Sequence, residues 1–147
     1  MNAQEVFNKV AVHLFKQGQR CVNTRGQCLY RGAKAADSPD RCAIGALIPD
    51  DKYDDILEGD TIEIIFGHAK HESNQDRQCY GVVTKLFDDV FPNNKDKRVA
   101  FLTRLQCTHD HIDPWSSSVE MRRRLLGVAE SYNLDASVLN TLSFTDR

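Results

Sequence analysis

Apolar side chains recur every three or four positions near the start of the chain, between Asn2 and Gly18. Asn2 and Glu5 have the spacing of a capping box, and Gly18 is suited to the left-handed conformation that ends many helices. The pattern therefore predicts an amphipathic helix with a solvated opposite face. Its apolar positions are Val6, Phe7, Val10, Ala11, Leu14 and Phe15, and its polar face carries Asn8, Lys9, His13 and Lys16.

The most uniformly apolar stretch covers residues 42–48, within a segment from 40 to 59 around which the rest of the chain is expected to pack. Asp40 is suited to cap a helix at its start. Pro49 ends the apolar run, because proline disfavours a helical conformation in the residue before it. Asp50 is placed to cap a second short helix. We predict two short helices in an L, the first of them buried.

Two runs at 20–22 and 27–30 have a strand-like composition. The four residues between them, Asn23-Thr24-Arg25-Gly26, are typical of a tight turn with glycine at a positive φ angle. This pattern predicts one β-hairpin. Residues 60–66 fit either a strand or a helix, and we favour a helix because no partner strand follows.

Helical spacing returns in the second half of the chain, in stretches that lie at 82–90, 99–109, 117–132 and 135–142. The chain of 147 residues contains no internal repeat and no linker long enough to separate domains. We therefore predict an α+β fold that is mainly helical. It is a single small domain, residues 1–147, with about six short helices and one β-hairpin.

The composition narrows the possible functions. The net charge is −2, which provides no general attraction to nucleic acid or to an anionic membrane. The basic run at 122–124 lacks the interleaved aromatic residues of nucleic-acid-binding motifs. No apolar run reaches the roughly eighteen residues of a membrane span, and the N-terminus lacks the features of a signal peptide. We expect a cytoplasmic protein with reduced thiols, because its five cysteines are an odd number without regular spacing.

Cys42 is the first candidate for chemistry. It lies near a predicted helix start and beside Arg41, and both features lower the pKa of a thiol. His109 and Asp110 would supply a base and the carboxylate that orients it, as in a cysteine-dependent hydrolase or transferase. The alternative, which we favour, is that Cys42 is a small buried core residue, the commonest fate of a free cysteine.

A zinc site is the second candidate. Cys107, His109 and His111 alternate along the chain, and His68, His71 and Cys79 lie upstream. Alternating ligands share a face only in a strand, whereas a helix is predicted here, and no Cys-x-x-Cys pair is present. We therefore predict no metal site and no cofactor.

A binding surface is the third candidate, drawn from two polar and aromatic pieces that each follow a predicted buried helix. The first piece is the corner Asp50, Asp51 and Tyr53, and the second is the turn His109, Asp110 and Trp115. Rigid elements of this kind present side chains with little loss of entropy on binding. The alternative is that the aspartates cap helices and that the two aromatic residues fill the core.

A resemblance to a known family is carried mainly by the run Cys42-Ala43-Ile44-Gly45-Ala46-Leu47-Ile48-Pro49-Asp50-Asp51-Lys52-Tyr53. Together with Leu29-Tyr30-Arg31, Glu58-Gly59, Leu105-Gln106 and His109-Asp110, it resembles a family of small uncharacterised proteins encoded by phages and prophages. The resemblance covers about half of the chain, and its most specific part is the motif CA(I/V)GxLIPDxxY. It implies an accessory protein of the bacterial cytoplasm that binds a host protein. It implies no catalytic residue and no cofactor.

Overall fold

The computed structural model of this chain describes residues 1–23, 25–31, 40–68 and 78–144. Most of the polar loop predicted at 67–78, with His71, lies outside these residues. Within them the protein forms five α-helices, which are α1 (Ala3–Gln17), α2 (Ile62–His68), α3 (Gln78–Lys85), α4 (Lys95–Asp110) and α5 (Ser118–Ser131). Short 3₁₀ turns lie at Gly45–Leu47, Asp50–Lys52, Asp55–Leu57, Asp113–Ser116 and Ser137–Thr141.

Local signals placed several helix ends correctly. The Asn2 side chain accepts the amide of Glu5, whose carboxylate accepts the amide of Asn2 in return, so the capping box is confirmed. Gly18 ends α1 with a φ angle of 71°. The Ser117 side chain caps α5 by accepting the amide of Glu120. The ambiguous segment at 60–66 is helical, as predicted, because it contributes most of α2.

The predicted β-hairpin is wrong, and with it the α+β class, because the described residues contain no strand or sheet. The predicted number of about six helices is wrong as well, since the described residues form five α-helices. A single antiparallel bridge joins Val22 to Cys28 where the hairpin was expected. A distant side chain takes a backbone donor that a longer ladder would need. Leu29 donates to the carbonyl oxygen of Cys21, but the amide of Cys21 does not return that bond and donates instead to the ring of His109. The protein is therefore mainly helical.

The segment at 40–59 is buried where predicted, but it is not built from the two predicted helices. Residues 42–45 and 47–48 are buried, and Ala46 is half-buried. The backbone forms 3₁₀ turns, which suit short runs because each needs few hydrogen bonds. Asp40 does not cap the first turn. Instead the Cys42 sulfur accepts the amide of Gly45 at 3.1 Å.

The helices surround one apolar core, with α1 packed against the turn at 45–47 and against α4 and α5. No helix among the described residues is long and apolar enough to cross a membrane. Of the concave surfaces formed by the described residues, two lie beside the segment at 40–59. One, the cleft, lies between residues 28–30, residues 59–63 and α4. The other, the groove, lies between the outer face of α1 and residues 46–47.

Candidate functional site

His109 is fully buried, and both of its ring nitrogens have partners. Nε2 lies 2.8 Å from the amide nitrogen of Cys21. An amide can only donate, so Nε2 accepts and carries no proton. The ring proton is therefore on Nδ1, which donates to Oδ1 of Asp110 at 2.8 Å. The imidazole is neutral and is held in one tautomer.

Cys42 is also fully buried, and burial raises the pKa of its thiol well above the usual value. Its sulfur already accepts the amide of Gly45. Neither nitrogen of His109 bonds to it, because one is taken by Cys21 and the other by Asp110. The geometry therefore lacks the exposed, base-paired thiolate that nucleophilic catalysis needs.

Gln106 links these two buried groups, and the reasoning from residue types missed it. Its Oε1 accepts the amide of Ile44 at 3.2 Å, and its Nε2 donates to Oδ1 of Asp110 at 2.9 Å. The segment containing Cys42 is thus tied to the His109–Asp110 pair through one side chain. The family resemblance expected from the sequence included the pair Leu105-Gln106 but gave Gln106 no role.

Asp110 lines the cleft, which has a volume of about 340 Å³ and is also lined by Cys28 and Cys107. The side chain of Asp110 is 38% exposed, yet His109 and Gln106 both donate to its Oδ1. These two bonds fix the orientation of the carboxylate. Burial is the main cause that raises the pKa of the Cys28 and Cys107 thiols, and the negative charge of Asp110 is the second. Neither thiol is therefore an activated nucleophile.

The structure brings Cys28, rather than Cys107 or His111, next to His109 and Asp110. One ligand atom from each of these three residues lies within 4.8 Å of the others. The donor pattern nevertheless fits a metal poorly. Nδ1 carries the ring proton, and moving that proton to Nε2 would set it against the amide of Cys21. The prediction that the chain holds no metal stays a prediction, and the residues of this cluster do not favour one.

None of the five cysteines is bridged, and they differ in access to solvent. We expect the exposed Cys107 to react with iodoacetamide first in the native protein. Cys21 and Cys42 should react only after unfolding, since both are buried and burial raises the pKa of Cys21 to about 12. Intact-mass spectrometry over time measures this order, and Cys107→Ser should remove the fastest step. Native labelling of Cys42 as fast as that of Cys107, or fewer than five labels in denaturant without reductant, would contradict it.

The corner at 50–53 is held by internal contacts. Oδ1 of Asp50 lies 2.8 Å from a guanidinium nitrogen of Arg31. The guanidinium of Arg31 also lies 4.4 Å from the ring centre of Tyr53. The Tyr53 hydroxyl donates to Glu58 at 2.8 Å. Asp50 and Tyr53 therefore help to join the segment at 40–59 to Arg31, although the Asp50 side chain is 83% exposed and Asp51 is exposed as well.

Trp115 is half-buried in the turn after α4. Its Nε1 donates to the carbonyl oxygen of His109 at 2.8 Å, and its ring stacks on Phe144. No hydrogen bond, ion pair or ring contact among the described residues joins this turn to the corner at 50–53. Tyr53 and Trp115 are both partly buried against the core, as the alternative predicted, but Asp50 does not cap the turn that it begins. That these two pieces bind a partner remains a prediction.

The groove was not anticipated, because the outer face of α1 was expected to be merely solvated. It has a volume of about 510 Å³. Val12 lines the groove and is 44% exposed. In the sequence, this single apolar position among the polar residues of the outer face of α1 was the signal that could have indicated the groove. The residues that line the groove are Met1, Asn8, Lys9, Val12, His13, Lys16, Ala46 and Leu47.

Side-chain bonds to the backbone hold the two walls of the groove together. Nε2 of His13 donates to the carbonyl oxygen of Arg41 at 2.9 Å. The Gln17 amide donates to the same oxygen and accepts the amide of Arg41 in return. These bonds tie α1 to the start of the segment at 40–59. The groove is therefore a preformed surface.

Comparisons with models of protein families, with curated proteins and with solved structures find no match for this chain. What the protein does is therefore inferred from the contacts described above.

Proposed function

We propose that this protein acts by binding another protein, and that the groove beside α1 is its main contact surface. In the setting that the family resemblance implies, it is a phage-type accessory protein of the bacterial cytoplasm, and its partner is a host protein. The observation that carries the proposal is an apolar floor, Val12 with Leu47, flanked by the charged residues Lys9 and Lys16. Interfaces commonly combine an apolar centre with a polar rim in this way.

The rigidity of α1 supports the same function. Its inner face is fully buried at Phe7, Val10 and Leu14, so the helix cannot rotate without opening the core. Its outer face is tied to Arg41 through His13 and Gln17. A surface held in this way loses little conformational entropy when a partner binds.

The contacts argue against the cysteine-dependent hydrolase or transferase. That alternative requires Cys42 to be accessible and paired with His109, but both residues are fully buried and bonded to other groups. The contacts also argue against a zinc-supported structural domain. Cys107 and His111 are exposed, and the proton on Nδ1 of His109 opposes coordination.

The turn that carries Asp110 and Trp115 is a second candidate surface. Ile112 lies within this turn and is 70% exposed, more than any other large apolar side chain of the described residues. Exposed apolar side chains beside a half-buried tryptophan suit a protein contact. Asp110 adds a fixed carboxylate at the edge of the neighbouring cleft.

Replacing Val12 with Asp should abolish capture of the partner, because it puts a charge on the apolar floor of the groove. The measurement is affinity capture from bacterial lysate with the parent chain and the variant, read by quantitative mass spectrometry. Val82→Asp is the matched control, since Val82 is 42% exposed on α3 and does not line the groove.

Circular dichroism should show both of these variants folded, because exposed substitutions usually change stability by about 0.5 kcal/mol or less. If Val12→Asp retains the partner as well as Val82→Asp does, the groove is not the contact surface. Loss of the partner in Ile112→Asp alone would then assign the contact to the turn.

A further inference from the structure

We propose that the cleft between residues 28–30, residues 59–63 and α4 binds a linear aliphatic diamine, with one of its ammonium groups held by Asp110. The inference goes beyond the protein contact proposed above, because the cleft and the groove share no lining residue. Three observations carry it. These are an oriented carboxylate with an unbonded oxygen, a buried hydroxyl without a partner, and acidic groups that are set too far apart to hold one metal ion.

The carboxylate of Asp110 is the anchor of the site. His109 and Gln106 both donate to its Oδ1, and no described residue bonds to its Oδ2. Both donors are neutral, so they orient the carboxylate without cancelling its charge. His109 is fully buried and is held in turn by the amide of Cys21, so the carboxylate is fixed before any ligand arrives. A fixed acceptor loses little entropy when a cation binds, and its bonds to a charged donor are strong.

The arginines near the cleft do not pair with this carboxylate. Arg20 donates to the backbone carbonyl oxygen of Asp110, and Arg104 donates to the hydroxyl of Ser131. Neither arginine lines the cleft, and no lysine does. The hydroxyl of Tyr80, a neutral donor, bonds to Asp60. Among the described residues, no lysine or arginine forms an ion pair with the acidic residues of the lining, which are Asp60, Glu63 and Asp110. The cleft therefore favours a positively charged ligand.

The hydroxyl of Thr103 is the second observation. Thr103 lines the cleft one turn before Gln106 on α4, and its Oγ1 is buried with no partner among the described residues. Nearly all buried polar atoms of native proteins are paired, so an unpaired hydroxyl in the wall of a cleft points to a ligand. A threonine in a helix has two accessible χ1 rotamers, and rotation would let this hydroxyl accept an ammonium proton.

The polar groups of the cleft are spread out, which selects a linear ligand. Thr103, Gln106 and Asp110 form one stripe along α4, and seven residues of helix span about 10 Å. Among the described residues, the carboxylates of the lining do not all lie within 4.8 Å of one another, so they do not converge on one metal ion. One ammonium group cannot reach both ends of this stripe. A diamine can bind Asp110 with one ammonium and Thr103 with the other.

The rest of the wall suits the aliphatic chain of such a ligand. Leu29 and Ile62 line the cleft together with the half-buried Cys28. The volume of about 340 Å³ is at the lower end for ligand pockets, so the cleft accommodates a small molecule rather than a folded segment of another protein. Apolar walls with a few oriented polar groups are typical of such sites.

The test follows ¹H–¹⁵N spectra of the labelled chain during titration with diaminopentane, which has an amine at each end. Aminopentane and pentanediol are the matched probes that lack one or both charges, and both amines are charged at neutral pH, as lysine is. We expect diaminopentane to shift the amides of residues 59–63 and 103–110 and to bind about tenfold more tightly than aminopentane. Pentanediol should shift none of these amides, and added salt should weaken the binding of the diamine.

Two variants test the named contacts. Asp110→Asn should weaken the binding of diaminopentane by about tenfold or more, because asparagine keeps an acceptor for His109 and Gln106 but puts an amide donor in place of Oδ2. The control Asp96→Asn makes the same change of charge at an exposed carboxylate of α4 outside the cleft and should bind as the parent chain does. Thr103→Val should also weaken the binding while keeping the fold, since the oxygen that it removes has no partner among the described residues.

Equal affinity of Asp110→Asn and Asp96→Asn for diaminopentane would overturn the proposal, and so would unshifted amides or equal binding of aminopentane. If Asp110→Asn fails to fold, Thr103→Val decides, and an affinity like that of the parent chain contradicts the site. N-acetyl-lysine amide is a separate arm, because binding as tight as that of diaminopentane would mean that the cleft receives a lysine of another protein instead. Magnesium chloride is the last arm, and shifts of the same amides at a lower concentration would assign the cleft to a metal ion. Capture of the lysate partner by Val12→Asp reports on the groove separately, so either proposal can fail without the other.

Discussion

Replacing Gly45 with alanine is expected to destabilise the fold by about 3 kcal/mol, at the upper end for an overpacked core. A Cβ atom built on Gly45 would lie 1.9 Å from the carbonyl oxygen of Tyr30, far inside van der Waals contact. That oxygen belongs to backbone, and it accepts the amide of Cys42 at 3.1 Å, so it cannot move away without breaking a buried hydrogen bond. The effect should appear as a lower midpoint in urea unfolding followed by circular dichroism.

Gly127→Ala is the matched control. Gly127 lies inside α5, and its added Cβ would meet nothing within 4 Å. Alanine is a better helix former than glycine, so this change should stabilise the protein by about 0.5–1 kcal/mol. A Gly45→Ala variant as stable as the parent would show that the segment at 40–59 does not pack on Tyr30 as described.

Replacing His109 with alanine is the second large effect, with an expected cost of about 3–5 kcal/mol. The change leaves a cavity beside Trp115, whose ring lies edge-on to the imidazole at 5.8 Å. It also orphans the buried amide of Cys21 and removes one of the two donors that orient Asp110. Urea unfolding measures the cost.

His111→Ala is the control for this change, because His111 is exposed and its removal should alter stability by about 0.5 kcal/mol or less. The tautomer can be tested separately. Two-bond ¹H–¹⁵N correlations of the parent protein should show His109 neutral with its proton on Nδ1. A proton on Nε2, or equal stability of the two histidine variants, would contradict the assigned network.

The helices were predictable because their signals are local. Asn2 and Glu5 lie within one turn of the start of α1, and Gly18 immediately follows its last residue. The amphipathic stripe of α5 likewise needs no knowledge of the rest of the chain to be recognised. The burial of residues 42–48 followed from their unbroken apolar character, although their 3₁₀ backbone did not.

The hairpin failed because strands depend on partners that lie elsewhere. The runs at 20–22 and 27–30 have the composition of strands, but His109 takes the backbone donor of Cys21. The bond between His109 and Cys21 joins residues 88 positions apart. No pattern within a short window contains that information.

By itself, the sequence determined where most of the α-helices lie, the caps of α1, the burial of the central segment and a list of residues that could carry chemistry. Only the tertiary structure decided how those residues are used. It paired His109 with Cys21 and Asp110 instead of Cys42, and it set Val12 beside residues 46–47 to form the groove. The physical reason is the range of the interactions. Helix propensity and capping act over one turn, whereas burial, tautomer choice and surface shape depend on groups that meet only when the chain is folded.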